Sequence, residues 1–167
     1  MRSLLLAVLV VLAISASAQT TYTISVDTNH TNARVYKGLI SKSIISQDTT
    51  FKWLHDNAKG YKPDSNIVTA VKNAKVKYLV FGGTWCEDTQ NILPKFFVLT
   101  EQAGVPESAI TLFGVDRKKQ SLPNVSEAFA VTNVPTIIVL KEGKEIGRIV
   151  EYGKTGYWDK ELGEIVK

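Results

Sequence analysis

The chain predicts an α/β fold in which a central β-sheet is covered by helices on both faces. Three observations carry that expectation. Short apolar runs rich in β-forming residues, at 76–81 and 136–140, have the length of buried strands. Segments of helical periodicity follow the first run and precede the second, at 86–103 and 124–131. A Glu142-Gly143 turn then joins the second run to a further strand at 145–151. Strand-helix-strand-helix, then a hairpin and a last helix, close as a sheet between two helical layers.

Taken in order, residues 1–18 read as an export leader, with Arg2 as the positive end and Leu4 to Ile14 as the apolar stretch. Ala16-Ser17-Ala18 is the expected cleavage site, which makes the mature chain periplasmic or secreted and starts it at Gln19. The apolar stretch is too short to span a bilayer, and nothing later approaches about 20 apolar residues, so no membrane span is expected. Loss of Arg2 lowers the net charge from +4 to +3. That balance is mild, and the longest basic cluster, Arg117-Lys118-Lys119, reads as a solvated loop, which argues against a nucleic-acid partner. What remains suits one core, divided as an N-terminal extension at 19–75 and the main fold at 76–167.

Within the extension, Tyr22, Ile24 and Val26 alternate, as in an edge strand or a fraying arm, and Val35 to Ile40 reads as a strand. Ile44, Phe51, Leu54 and Ala58 suggest one helix over 43–58, stopped by Gly60. Asp64 or Ser65 can cap a helix bearing Ile67, Val71 and Ala74. The helix over 86–103 presents Ile92, Leu93, Phe96, Phe97 and Leu99, ends at Gly104, and should kink at Pro94. A strand is expected at 109–115, and a final helix at 157–166 with Trp158, Leu162 and Ile165 on one face.

Cys86 is the only cysteine and sits where a strand turns into a helix, a place that favours a thiolate. Position 89, which would complete Cys-x-x-Cys, holds threonine. One cysteine cannot staple a fold, so it is an inert thiol, a reactive one, or half of a Cys86-linked dimer. His30 and His55 are isolated and share no ligand spacing with Cys86, so no metal is expected. No Lys-Ser or Lys-Thr follows Gly82-Gly83, which excludes a phosphate cradle, and no cofactor is implied. Asn29-His30-Thr31 and Asn124-Val125-Ser126 match the glycosylation pattern weakly, and Asn124 is expected to cap a helix instead.

From about Val76 onward the chain resembles thioredoxin. The resemblance rests on Trp85-Cys86 after a buried strand, Pro94 eight residues on, Val134-Pro135-Thr136 before a strand, and Gly143 in the hairpin. It implies a thioredoxin-like mixed sheet, with Cys86 as the attacking sulfur and Trp85 shielding it and offering an apolar surface. Pro135 would be cis, and Val134 would offer backbone groups to an extended client.

Three residues depart from the pattern. Thr89 replaces the resolving cysteine, which removes internal release of a mixed disulfide and leaves a hydroxyl expected to donate to the Cys86 sulfur. Glu87 and Asp88 suit the helix dipole but oppose a neighbouring thiolate. Val80 stands where the family has a buried acid. The expectation is an exported monothiol protein, with Cys86 and Thr89 catalytic and Trp85, Val134 and Pro135 binding protein or small-molecule thiol and disulfide clients. The alternative is a redox-inactive thioredoxin-fold module that binds peptides.

Overall fold

The computed structural model describes residues 21–28 and 33–167. The leader at 1–18, His30 and the Asn29-His30-Thr31 pattern lie outside the described residues. Six strands form one sheet: β1 (Tyr22–Asp27), β2 (Ala33–Ile40), β3 (Lys77–Gly82), β4 (Ile110–Gly114), β5 (Thr136–Lys141) and β6 (Lys144–Val150). Their spatial order is β1-β2-β4-β3-β5-β6. Only β3 and β4 run parallel to each other, and the other neighbours are antiparallel. The helices are α1 (Lys42–Ser46), α2 (Trp53–Asp56), α3 (Ser65–Asn73), α4 (Glu87–Gln102), α5 (Val125–Ala128) and α6 (Trp158–Ile165).

The central strands read as unbroken apolar runs because both of their faces are buried. Along β3, Tyr78 and Val80 enter the larger core with Ile92, Phe96 and Leu162, whereas Phe81 enters the smaller one with Phe113, Val134 and Ile138. Strand β5 alternates in the same way, Ile137 and Val139 to one side and Ile138 to the other. Burying a side chain the size of Phe96 completely contributes about 1.5–3 kcal/mol. Tyr78 meets the edge of Phe96 at 5.4 Å, and burial pushes its phenol up to about 12.

The segment before β3 is part of this sheet. Strand β2 pairs with β4 through Gly38, Leu39 and Ile40, and β1 forms the outer edge. Opposite Gly38 lies Gly114, where a Cβ would fall 2.3 Å from the Tyr36 carbonyl oxygen, so the two strands approach as only glycine allows.

The helix expected over 43–58 is instead two short ones, α1 and α2, separated by a turn at 47–52. Asp48 breaks it. Its carboxylate, on a residue only 9% exposed, accepts the Thr50 amide at 3.0 Å and the Thr50 hydroxyl at 2.6 Å, a local alternative to the helical ladder. The Tyr36 hydroxyl and Arg34 Nε, each at 3.0 Å, bind the same group from β2. Helix α5 is likewise shorter than expected. Asn124 stands at its N-cap with left-handed backbone (φ 62°) and no capping bond from its side chain.

Burial raises the Asp48 carboxyl, but the bonds from Thr50 and Tyr36 and the Arg34 charge outweigh it and leave the group below its ordinary value. A carboxylate lowered in the folded state adds stability above its unfolded pKa of about 4 and loses it as pH falls through the folded value. Urea midpoints measured against pH should therefore fall on the acid side in the native protein, and Asp48→Asn should flatten that slope. An unchanged slope in the variant would remove Asp48 from this account.

Candidate active site

Cys86 ends the turn from β3 into α4 and takes the N-cap position, with φ −94° and ψ 124°. Its side chain makes no capping bond to the first amides of α4. The Cys86 thiol is half-buried and donates to the Val134 carbonyl oxygen, with Sγ 3.2 Å from it. That bond exists only while the sulfur carries its proton. Val134 is 3% exposed, its peptide bond to Pro135 is cis, and its own amide has no hydrogen-bond partner among the described residues.

Each residue of the turn is fastened to a different element. The Thr84 hydroxyl donates to the Arg34 carbonyl of β2 at 2.7 Å and accepts the Tyr36 amide at 3.2 Å. Trp85 Nε1 donates to the Val115 carbonyl, just past β4, at 2.9 Å. The indole lies back over Gly83, where a Cβ would come within 2.6 Å of the ring, so residue 83 admits no side chain.

Gln90, one turn into α4, ties the turn to the helix. Its amide donates to the Cys86 carbonyl at 2.9 Å, and its side-chain amide donates to the Thr84 carbonyl at 2.8 Å. Its own carbonyl would normally accept from residue 94, which is proline and has no N–H. Asn57, just past α2, supplies the missing donor at 2.9 Å.

The structure therefore brings Cys86, Trp85, Val134 and Pro135 together and gives Thr89 a different contact from the one expected. Thr89 is fully buried, and its hydroxyl accepts the Gly83 amide at 3.2 Å. Thr89 makes no hydrogen bond to the Cys86 sulfur, whose thiol donates to Val134. Trp85 also differs from the open apolar surface expected of it. The Arg117 guanidinium lies 4.6 Å from its ring centre and the Lys119 ammonium 6.0 Å, so part of the indole is covered by cations.

Thr84, Gln90, Asn57 and Arg117 are the residues that sequence reasoning passed over. Pro94 did carry a signal, since a proline in a helix leaves the carbonyl four residues earlier without its donor. The identity of that donor depends on how α2 packs against α4. His55 is exposed and faces only Asp56 at 3.3 Å, and no cluster of three or more metal-ligating side chains occurs among the described residues.

Comparison with known proteins agrees with this geometry. The thioredoxin family model matches residues 61–158. Thioredoxin from Echinococcus granulosus is 31% identical over 90 residues, covering 54% of this chain and 78% of that protein. Thioredoxin from Staphylococcus saprophyticus is 30% identical over 105 residues, covering 62% and 90% respectively. Among solved structures, a protein of unknown function from Pseudomonas aeruginosa matches with a TM-score of 0.54 at 16% identity, over 75% of this chain and 89% of its own. At that identity the likeness concerns fold alone.

The Thr89 contact has a measurable consequence. Thr89→Val keeps the shape but leaves the buried Gly83 amide unpaired, a loss of about 1–3 kcal/mol. Thr89→Ser should recover most of it, since it restores the acceptor. Urea unfolding of the two variants checks this, and equal stability of native and valine proteins would contradict it.

Proposed function

The chain belongs to the thioredoxin family, and from that premise we propose an exported monothiol member that performs thiol-disulfide exchange through Cys86 alone. Family membership supports thiol-disulfide oxidoreductase chemistry. The observation that carries the finer reading is the pair of groups at the head of α4. A half-buried cysteine occupies the helix N-cap, and a buried threonine bonded to Gly83 fills the position of a second cysteine.

In the proposed reaction the Cys86 thiolate attacks one sulfur of a client disulfide, and the other sulfur leaves as a thiolate. The new Cys86–client disulfide has no neighbouring thiol to break it, so a second thiol from solution or from another protein attacks it and regenerates Cys86. Loss of the Cys86 proton also frees the Val134 carbonyl, which together with the unpartnered Val134 amide is available to an extended client segment. Pro135 fixes that segment's docking edge and Trp85 flanks the sulfur. The leader-like residues 1–18 support export, where disulfide-bearing clients are found.

One observation favours the redox-inactive peptide-binding alternative. Val80, where the family keeps an acid, is fully buried among apolar side chains, so no carboxyl assists proton transfer from beneath the turn.

Intact mass measured after incubation with a disulfide-bonded peptide separates the two readings. A single adduct is expected on the native protein, stable until a small thiol is added, and none on Cys86→Ser. No adduct on the native protein would leave the binding module as the better account.

A further inference from the structure

The basic run at 117–119 is not a loosely solvated loop. Asp116 builds it. Its carboxylate accepts the amides of Lys118 at 2.9 Å and Gln120 at 3.0 Å, and Lys37 of β2 holds the same carboxylate at 2.7 Å. Two backbone bonds between Asp116 and residues 119 and 120 close the turn, with Lys119 in left-handed backbone at φ 61°. The result places residues 117 and 119 together over the Trp85 ring, at 4.6 and 6.0 Å. Arg117 is further held by an ion pair with Asp27 of β1, which offsets its charge. Lys118 and Lys119 have no carboxylate partner among the described residues.

We propose that this folded loop is a specificity surface by which Cys86 selects disulfides that carry a carboxylate beside the sulfur. The proposal rests on Cys86 being the attacking sulfur. Trp85 precedes Cys86 and bears the cations, whereas Glu87 and Asp88 follow it on the first turn of α4. Along the chain the sulfur is thus preceded by a ring that carries cations and followed by two acids. A client whose carboxylate rests over the Trp85 side gains attraction to Lys119 and Lys118 and stays clear of the α4 acids. A cationic client meets a Trp85 ring that already carries the Arg117 guanidinium. The exchange itself is unchanged: Cys86 sulfur bonds to one client sulfur, the anionic half leaves as a thiolate, and a second thiol clears the adduct.

Three small symmetric disulfides of similar length test this: dithiodipropionate (anionic), hydroxyethyl disulfide (neutral) and cystamine (cationic). Each rate of adduct formation is divided by that of free mercaptoethanol with the same reagent. At low ionic strength the anionic reagent should lead the cationic one by about threefold to tenfold, the size expected when one charge pair at about 8 Å in water changes from attraction to repulsion. In about 1 M salt, where the screening length is roughly 3 Å, the preference should vanish. Lys119→Glu should lower it at least about threefold, the change expected when one charge pair reverses sign. Lys118→Glu serves as a second variant should the first fail to fold, and the salt titration of the native protein needs neither.

A preference for cystamine, or ratios equal to those of mercaptoethanol and insensitive to salt, would overturn the charge reading while leaving exchange by Cys86 intact. Absence of reaction with all three reagents would overturn both.

Discussion

The hydroxyl of Thr84 donates to the Arg34 carbonyl and accepts from the Tyr36 amide in a position that is 3% exposed. Strand β4 ends at Gly114, opposite Gly38, so the part of β2 that precedes Gly38 extends beyond its ladder partner. Buried backbone groups must find partners, and here one side chain from the reactive turn supplies two of them. The same bonds that finish the sheet edge also tie the turn carrying Cys86 to the N-terminal segment. Asn57 adds a second tie from that segment, through Gln90, and Asp27 a third, through Arg117 and Trp85. Residues from 21–28 and 33–75 are therefore part of the scaffold that holds the turn carrying Cys86.

A turn fixed at Thr84, Trp85 and Cys86 by different elements would lose little freedom when a client docks. What it gains in placement it lacks in turnover. Thr89 accepts the Gly83 amide and offers no sulfur, so in the proposed mechanism a captured client waits for an outside thiol. Cys86 stands at the N-cap of α4, and Glu87 and Asp88 follow it on the first turn. Cations over Trp85 and acids on the first turn of α4 are the basis of the proposed preference among clients.

Much of the fold was legible because its signals are local. The unbroken apolar runs of β3 and β5, the cap at Asp64, and the Glu142-Gly143 turn each depend on neighbouring residues, and each lies where expected. The failures come from contacts distant in sequence. The helix over 43–58 satisfies the apolar spacing, yet Asp48 is drawn into a buried cluster with Arg34 and Tyr36 of β2 and divides it. Site residues with a chemical signature, Cys86, Trp85, Val134 and Pro135, are found together. Thr89 is found beside them with a different partner, because its hydroxyl bonds whichever buried group lies nearest. Thr84, Asn57 and Arg117 carry no signature of their own; they acquire roles only when β1, β2 and α2 are folded against the turn.

In the proposed mechanism the turn is competent for exchange, and the threonine at position 89 is what prevents internal release. The most direct measurement is the lifetime of a client disulfide on Cys86 in the native protein and in Thr89→Cys. The native adduct should persist until external thiol is added, and the Thr89→Cys adduct should release its client unaided as residues 86 and 89 close a disulfide. An adduct equally long-lived in both would mean that position 89 does not reach the reacting sulfur, and would contradict the account.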